Sequence, residues 1–400
     1  MTENDVTIDW QSIYLSENPF VFEPPIDPSR LKWAGMTKLR RNLEGILREA
    51  RCSDRGQLVL NRGVIGGGKT HASIYYSLPE RLPDRRGDCV RELLSIRIQL
   101  PKEPANAVWQ VYRQIVERLT LSQVRKNFKE IVQTMSKDDF LQRFHRTVGS
   151  EDLALALWTL GSSDDEDIQA LLSRYLLLSR YTATELKKLR VARGIDSLLD
   201  QTLMLAAIIE SFIGIDPSTS PSKHSRVIIW IDEMEDLVYY GAREHRPLTQ
   251  FIRDLIDHVP SFLTIFMNFT MTRPEREEEI DTILGGYLGR RITHAVRFDE
   301  LTTGEAVEYV KELLELYRTG KQPPGMPSFY PFEESTLGEV ANRVKFVAPG
   351  YINKMCYDLI DLAFKERKLP AKDYLIDADF VREHAESLAI SQASEAARLL

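Results

Sequence analysis

A glycine-rich stretch near residue 63 constrains the fold of this chain more than any other part of its sequence. It reads LVLNRGVIGGGKTHAS from Leu58 to Ser73, and Gly63 to Thr70 within it fits the pattern G-x-x-x-x-G-K-[ST]. Glycines in this pattern let successive backbone N–H groups turn toward phosphate oxygens with no Cβ in the way. The run QLVL before the loop predicts a short buried strand, and HASIYYSL after it predicts a helix. The sequence therefore predicts a strand, a phosphate-binding loop and a helix in succession.

The side chains of this loop predict ATP and Mg²⁺ as cofactors. Lys69 is expected to reach the β- and γ-phosphates, and the Thr70 hydroxyl to bind Mg²⁺. The helix that begins near Lys69 directs the positive end of its dipole at the same phosphates. The predicted cofactor-binding residues of the loop are Gly63, Val64, Ile65, Gly66, Gly67, Gly68, Lys69, Thr70 and His71.

A second motif, Val227 to Glu233, reads VIIWIDE. An almost unbroken apolar run that ends in acids is typical of a buried parallel strand whose carboxyl end faces a ligand. Asp232 is predicted to bind Mg²⁺, directly or through water, and Glu233 to orient and polarise the attacking water. Alone, such a run more often ends in a surface turn, but its pairing with the glycine loop favours an ATP-hydrolysing site.

Together the two motifs resemble the Walker A and Walker B elements of the AAA+ ATPases, in the branch that includes the initiator-like ORC/Cdc6 proteins and the transposition ATPases. The resemblance implies an α/β fold, with a three-layer P-loop core on a parallel sheet and a C-terminal helical lid. It also implies ATP hydrolysis. It extends in outline from Asn18 to Glu386, and only the two Walker motifs within it are specific.

The same resemblance implies further catalytic residues. Ser261 to Thr270 reads SFLTIFMNFT and predicts a third strand, and the sensor-1 residue at its carboxyl end has Thr270 as first candidate and Asn268 as second. Arg290 and Arg291 precede the last predicted core strand. AAA+ proteins place there an arginine that acts in the neighbouring subunit's nucleotide site. A finger role and an ordinary surface position both fit this arginine pair.

The predicted lid contains a segment, PGYINK at Pro349 to Lys354, that resembles the sensor-2 region. The family usually carries arginine where this chain has Asn353 and Lys354. Lys354 is therefore the candidate nucleotide contact of the lid. It departs from the family pattern because lysine supplies charge without the planar fork of arginine.

The stretch between Lys69 and Asp232 is far longer than one strand and its helices require. LLSIRIQL at Leu93 to Leu100 predicts the intervening core strand, after which apolar residues recur at helical spacing. We therefore expect a helical insertion at about residues 105–215, with a subdomain at about Lys126 to Arg193. The end of the insertion, YTATELKKLRVARGIDSLLDQ, followed by an apolar helix and a strand into DEMEDL, resembles P-loop ATPases of BREX-type phage-defence clusters.

The remaining chain divides around this core. Residues 1–45 form an N-terminal segment rich in proline and aromatics, expected to lie over the nucleotide base, with Trp33 or Met36 against the adenine unless Trp33 only packs in the core. The ATPase core is expected at 46–300. The lid, at 301–386, opens with a capping box at Thr302 to Glu305, and a tail occupies 387–400.

Charge and composition limit the partners. The chain of 400 residues has a formal net charge of −7 and a pI near 5.7, which argues against coating nucleic acid through bulk charge. Two basic clusters, RKNFK at Arg125 to Lys129 and the group Lys187, Lys188, Arg190 and Arg193, suit either DNA contact or a solvated helix face.

Localisation and redox state are predicted from what the sequence lacks. No apolar run reaches about eighteen residues and the N-terminus is acidic, so we expect a cytoplasmic protein with no membrane partner. Cys52, Cys89 and Cys356 are far apart without a C-x-x-C pair, which predicts reduced thiols and no zinc site.

Two functional hypotheses from different classes follow. In the first, the chain forms homo-oligomers and is a nucleotide-switched motor or clamp on double-stranded DNA, in phage defence or mobile-element control. In the second, it is an ATP-gated signalling switch that recruits an effector protein without binding DNA. A small-molecule kinase is disfavoured because such enzymes seldom need the Asp-Glu pair.

Overall fold

The computed structural model describes residues 7–21, 27–53, 55–83, 92–177, 181–213, 224–271, 277–321, 323–371 and 373–388. The chain forms two compact units. The first comprises Met1–Arg41, Gly63–Tyr75 and Arg297–Leu400, and the second comprises Asn42–Arg62 and Tyr76–Val296.

Five strands form one sheet. They are β1 (Gln57–Val64), β2 (Glu92–Gln99), β3 (His224–Asp232), β4 (Leu263–Met271) and β5 (Ile292–Phe298), in the spatial order β2-β3-β4-β1-β5. β2 and β4 both pair parallel with β3, and Gln99 lies opposite Asp232. The four strands predicted before residue 271 are all present. The predicted α/β class with a parallel sheet is therefore confirmed.

Most of the described α-helices lie in the second unit. They are the greater part of α1 (Thr37–Cys52), then α3 (Ala107–Leu119), α4 (Leu121–Thr134), α5 (Lys137–Val148), α6 (Glu151–Ser162), α7 (Glu166–Leu176), α8 (Ala183–Leu189), α9 (Leu198–Ile213), α10 (Ala242–His258) and α11 (Glu277–Gly289). α3 to α9 all lie between β2 and β3, where the long gap in the sequence predicted an insertion. Side-chain caps determine where several of these helices begin. Ser136 caps α5, Asp165 caps α7, and Thr182 with Glu185 forms the predicted capping box of α8.

The sheet is buried on both faces. Ile229 and Ile231 pack in one core with α3, α9 and α10. On the opposite face, Trp230 stacks on Phe266 with ring centroids 3.8 Å apart, and Tyr76 stacks on Trp230 in turn. This two-sided burial explains the continuous apolar run of β3 and gives the core its three layers.

Arg226, on the face that carries Trp230, joins α1 to the sheet. Its side chain is fully buried. One Nη atom donates to the Leu263 carbonyl at 3.0 Å, and Nε and the other Nη donate to the carbonyls of Ala50 and Ser53 at the end of α1. A cation is favourable there because a helix C-terminus carries partial negative charge.

The first unit contains the phosphate loop, α2 (Lys69–Tyr75), α12 (Thr303–Tyr317), α13 (Glu334–Arg343), α14 (Pro349–Lys365) and α15 (Ala378–Glu383). The predicted capping box of α12 is present, with Thr302 and Glu305 bonded to each other's backbone N–H. The N-terminal segment packs in the same core as these helices, through Ile13, Leu15 and Phe20.

Two further predictions concern the redox state of the cysteines and the presence of membrane-spanning helices. Cys52 is disulfide-bonded, so the prediction of reduced thiols is wrong for this residue, whereas Cys356 is free and buried. Cys89 lies outside the described residues. In the part of the chain that the structure describes, no helix combines the length and the apolar character that crossing a membrane requires.

Candidate nucleotide site

The glycines of the phosphate loop have separate physical causes. Gly66 and Gly68 have φ values of 72° and 95°, a backbone region that residues with a Cβ rarely adopt. Gly63 has another reason, since a Cβ there would lie 2.2 Å from the carbonyl oxygen of Phe298. The first glycine of the motif is therefore required by close packing against the end of β5.

Lys69 lies inside the loop that precedes it. Its side chain is buried, and Nζ donates to the carbonyls of Gly63 at 2.9 Å and Val64 at 2.8 Å. The Gly67 N–H also donates to the Val64 carbonyl, at 3.1 Å. The loop thus gathers an ammonium group and a backbone donor around one point, at the start of α2, where phosphate oxygens are well suited to replace the carbonyls as acceptors.

The N-terminal segment packs on this loop and on α2. Met36, itself at a φ of 49°, places Cε 3.3 Å from the position that a Cβ on Gly68 would occupy. Trp33 packs edge-on against the rings of His71 and Tyr75. Burial lowers the pKa of His71 to about 4, against a smaller opposing effect of its hydrogen bond to the Lys32 backbone. The His71 ring is therefore a neutral packing surface near pH 7.

α14 begins against the tip of the phosphate loop. The Gly350 N–H donates to the Gly66 carbonyl at 3.0 Å, and a Cβ on Gly350 would lie 2.9 Å from the Gly66 Cα. The two candidate sensor-2 residues have other contacts. Asn353 accepts from the Tyr309 hydroxyl and donates to a backbone carbonyl, and Lys354 forms an ion pair with Asp358 at 2.6 Å.

In the second unit, Asp232 ends β3 as a buried carboxylate that is 1% exposed. Its Oδ2 accepts from Arg97 Nε at 2.6 Å, and its Oδ1 accepts from Asn268 Nδ2 at 2.5 Å. Asn268 Oδ1 in turn accepts from Asn61 Nδ2 at 2.7 Å. We call Arg97, Asp232, Asn268 and Asn61 the polar row, because its members come from the adjacent strands β2, β3, β4 and β1 in that order.

Glu233 follows with an unusual backbone. Its φ is 61°, in the left-handed region, where a residue with a side chain costs energy and often serves a function. Gln99 Nε2 approaches its Oε1 at 3.4 Å. Burial first, and then the charge of Asp236, raises the pKa of Glu233, which makes this carboxylate a better proton acceptor than an exposed glutamate.

The other predicted catalytic residues are placed as follows. Asn268 contacts Asp232, whereas Thr270 is half-buried and its backbone N–H donates to Glu235 at 3.0 Å. Arg291 forms an ion pair with Asp257 at 2.9 Å. Arg290 is exposed and has no ion-pair partner among the residues that the structure describes.

Sequence reasoning missed Arg97, Gln99 and Asn61. A signal was present for Asn61, which is a buried polar residue directly after the apolar run of β1, and for Arg97 and Gln99, which alternate with apolar residues toward the carboxyl end of β2. Polar groups buried in that position need partners, and here the partners come from the neighbouring strands.

The donor set suits Mg²⁺. Asp232 in the second unit and Thr70 in the first unit each carry a hard oxygen of the kind that this ion prefers, and Mg²⁺ commonly takes only one or two protein ligands, with phosphates and waters completing its shell. Over the described residues, no cluster of three histidine, cysteine or acidic side chains forms a further metal site.

No family model matches the chain, and no curated protein matches it. Several solved structures resemble it, and three of them are described here. A Walker-type ATPase of Pyrococcus abyssi is 14% identical, with 95% of this chain and 79% of that chain covered at a TM-score of 0.44. The ORC1 protein of Aeropyrum pernix in complex with DNA is 13% identical, covering 94% and 71% at 0.46. The ORC2 protein of Aeropyrum pernix in its ADPNP-ADP complexes is 12% identical, covering 89% and 70% at 0.45. At these identities and TM-scores, no residue role can be transferred from these structures to this chain. The fold assignment given above is made from the strand order and pairing of the sheet alone.

Proposed function

We propose that this protein binds Mg-ATP and hydrolyses it. One observation carries the proposal: a loop with two glycines at positive φ curls around the buried ammonium of Lys69 at the start of a helix. This arrangement concentrates positive charge and backbone donors where an anion with several oxygens would bind.

The catalytic roles follow from the chemistry of each side chain. Lys69 and the loop N–H groups hold the β- and γ-phosphates and stabilise charge that develops on them. Glu233, held near Gln99, orients the attacking water and accepts its proton. Asp232 and Thr70 would hold Mg²⁺, which neutralises phosphate charge when bound.

We further propose that copies of the chain assemble and act as a motor or clamp on double-stranded DNA, in phage defence or mobile-element control. The exposed position of Arg290 supports an arginine that acts in a neighbouring subunit. The exposed cations Lys187, Lys188 and Arg190 at the end of α8 supply a candidate DNA contact.

A second candidate, an ATP-gated switch that recruits a protein effector without DNA, has its own support. Several cations of the predicted basic clusters are neutralised within the chain. Arg193 forms a bidentate pair with Asp200 at 2.6 and 2.8 Å, and Arg125 and Lys129 both contact Asp164. Fewer free cations therefore remain for phosphate contact than the sequence indicated.

Calorimetry and steady-state hydrolysis test the site. We expect Lys69→Ala to remove ATP binding, and Glu233→Gln to keep binding but lose turnover by about a hundredfold or more, because it cannot accept a proton. Lys365→Ala is the control, since Lys365 belongs to the same unit and pairs with Asp361 away from the loop. Tight ATP binding by the Lys69→Ala variant would exclude the proposed site.

The same hydrolysis assay, titrated with double-stranded DNA, separates the two candidates. Strong stimulation supports the DNA motor, and a low rate that DNA leaves unchanged supports the switch. Reversal of Lys187, Lys188 and Arg190 to glutamate should abolish any stimulation. Arg193 is left intact in this variant because its pair with Asp200 holds the start of α9.

A further inference from the structure

We propose that Glu312 of α12 is a positioning residue for ATP binding, which acts on the phosphate loop through residues 32–36. We call residues 32–36 the strap, because they contact both α12 and the phosphate loop with α2. All of these segments belong to the first compact unit. The inference rests on the proposed function, since it concerns the same loop, and it goes further by assigning part of the nucleotide affinity to a side chain of α12.

Hydrogen bonds and close packing hold the strap on α12. The Glu312 carboxylate accepts a hydrogen bond from the Gly35 N–H at 2.7 Å. Lys32 Nζ donates to the Leu316 carbonyl, also at 2.7 Å. A Cβ on Gly35 would lie 3.1 Å from the Tyr309 Cα. Because a bond to a carboxylate is stronger than one to a neutral acceptor, Glu312 fixes the backbone of the strap at Gly35.

Gly35 and Met36 form a strained turn in the strap. Both lie in the left-handed region, with φ values of 54° and 49°, and Met36 has a Cβ that makes this backbone unfavourable. Such a conformation persists only where surrounding contacts hold it. Trp33 Nε1 donates to the Gly35 carbonyl at 3.1 Å, beside the bond from the Gly35 N–H to Glu312. Loss of the Glu312 bond therefore removes one of the contacts that hold Met36 in place.

The strap in turn packs on the phosphate loop and on α2. Met36 Cε lies 3.3 Å from the position that a Cβ on Gly68 would occupy, and Gly68 itself has a φ of 95°. Trp33 packs edge-on against the rings of His71 and Tyr75, at centroid distances of 5.5 and 5.4 Å. Met36 therefore restricts the space in which the loop can move at Gly68.

The consequence for nucleotide affinity is entropic. Glycine has more backbone freedom to lose than any other residue, so an unrestrained Gly68 has to be ordered when phosphates bind. Where Met36 already restricts this glycine, less ordering remains and the affinity is higher for that reason. Without the Glu312 bond, the turn relaxes and Met36 withdraws from Gly68. ATP binding then has to order the loop itself.

Titration with a fluorescent ATP analogue and Mg²⁺ tests this role. We expect Glu312→Ala to weaken binding by about fivefold or more, the low end of the usual coupling between two sites. Glu312→Gln keeps an acceptor for the Gly35 N–H and should restore most of the affinity. Glu308→Ala is the matched control and should bind like the wild type. Glu308 is an exposed glutamate of the same helix, with its carboxylate 3.8 Å from Lys311.

A double-mutant cycle separates positioning from a general loss of stability. If Glu312 acts through Met36, Glu312→Ala should not weaken binding further once Met36→Ala is present, because the side chain that it positions is gone. A glutamate that only stabilised the unit would weaken binding by the same factor in both backgrounds. If Glu312→Ala does not fold by circular dichroism, Glu312→Met replaces it, since methionine is a good helix former of similar length without a carboxylate.

The outcomes distinguish this inference from the proposed function. Equal affinities for wild type and Glu312→Ala would overturn the role of Glu312, and so would an undiminished effect of Glu312→Ala in the Met36→Ala background. If the wild type binds the analogue and either of these results is obtained, only the inference fails. If the wild type does not bind the analogue, the proposed function fails, and the inference fails with it.

Discussion

At the scale of single residues, Arg226 shows how a buried cation can be structural. Its guanidinium is fully buried and donates to backbone carbonyls at the end of α1 and at the start of β4. Arg97 differs, because it is partly exposed and pairs with the Asp232 carboxylate near the end of its strand. The bonded partners therefore distinguish the two arginines, since Arg226 donates to backbone carbonyls and Arg97 to a charged side chain.

We expect Arg226→Met to lower the free energy of unfolding by about 3 kcal/mol or more, because several buried carbonyls lose their donor. Urea denaturation followed by circular dichroism measures this loss. Arg55→Met, at an exposed position in the turn after α1, should change the midpoint little. A midpoint for Arg226→Met equal to that of Arg55→Met would show that water satisfies these carbonyls.

The local structure around a residue was predictable where a motif spans only a few positions. Gly63 to Thr70 and the pair Asp232 and Glu233 fall in this group, and for these the sequence predicted the local element correctly. The partners of Asp232 were not predictable. They lie across neighbouring strands, so their identity depends on strand order, which a single sequence does not contain.

At the scale of elements, α14 is placed by a contact between two backbones. Gly350 approaches Gly66 so closely that neither tolerates a Cβ without movement. The sequence resemblance implies that a side chain of this helix contacts nucleotide. In the structure, Asn353 bonds to Tyr309 and to the Val21 carbonyl, and Lys354 pairs with Asp358. The hydrogen bond between the backbones of Gly350 and Gly66 does not require a particular side chain, so only the glycine at position 350 indicates it in the sequence.

We expect Gly350→Ala to weaken ATP binding by about tenfold, equal to about 1.4 kcal/mol, because the added Cβ would push α14 from the loop tip and release the Gly66 carbonyl. Fluorescence titration with an ATP analogue measures the change. Gly338→Ala in α13 is the control, since nothing lies within 4 Å of a Cβ there. Identical affinities for the two variants would show that the contact does not shape the loop.

Strands were easier to predict than their surroundings. The run Val227–Ile231 of β3 is continuously apolar because both faces of the sheet are covered, and such a run has few alternative structures. The helices of the insertion were predicted from their period and caps. Their packing on one another depends on side chains far apart in sequence, so their arrangement had to come from the structure.

At the scale of the whole molecule, the two compact units interrupt each other along the chain. The first unit takes residues from the N-terminus, from the phosphate loop and α2 at Gly63–Tyr75, and from the C-terminal quarter of the chain. Domain limits predicted from sequence are continuous segments, so they do not describe units of this kind. A unit is defined by contacts between segments that are distant in the chain, and the spacing of apolar residues along the sequence does not report such contacts.

Assembly is the prediction that belongs to this scale. We expect Arg290→Ala to abolish hydrolysis, and Arg291→Ala to preserve much of it because Arg291 already pairs with Asp257. Mixing Arg290→Ala with Lys69→Ala should restore activity, since one mixed interface would combine an intact loop with an intact arginine. Light scattering with ATP checks that oligomers form. No recovery on mixing, with oligomers present, would argue that each copy hydrolyses ATP alone.

The contact at Gly63 has a consequence for how this sequence can change over generations. The carbonyl of Phe298 excludes any side chain at that position, whether or not a nucleotide is ever bound. A descendant that lost ATP binding would be free to replace Lys69 and Thr70, yet selection for a folded chain would still retain Gly63. Gly63, the first residue of the motif, is therefore retained because of strand packing, and only the later residues of the motif depend on the chemistry of nucleotide binding.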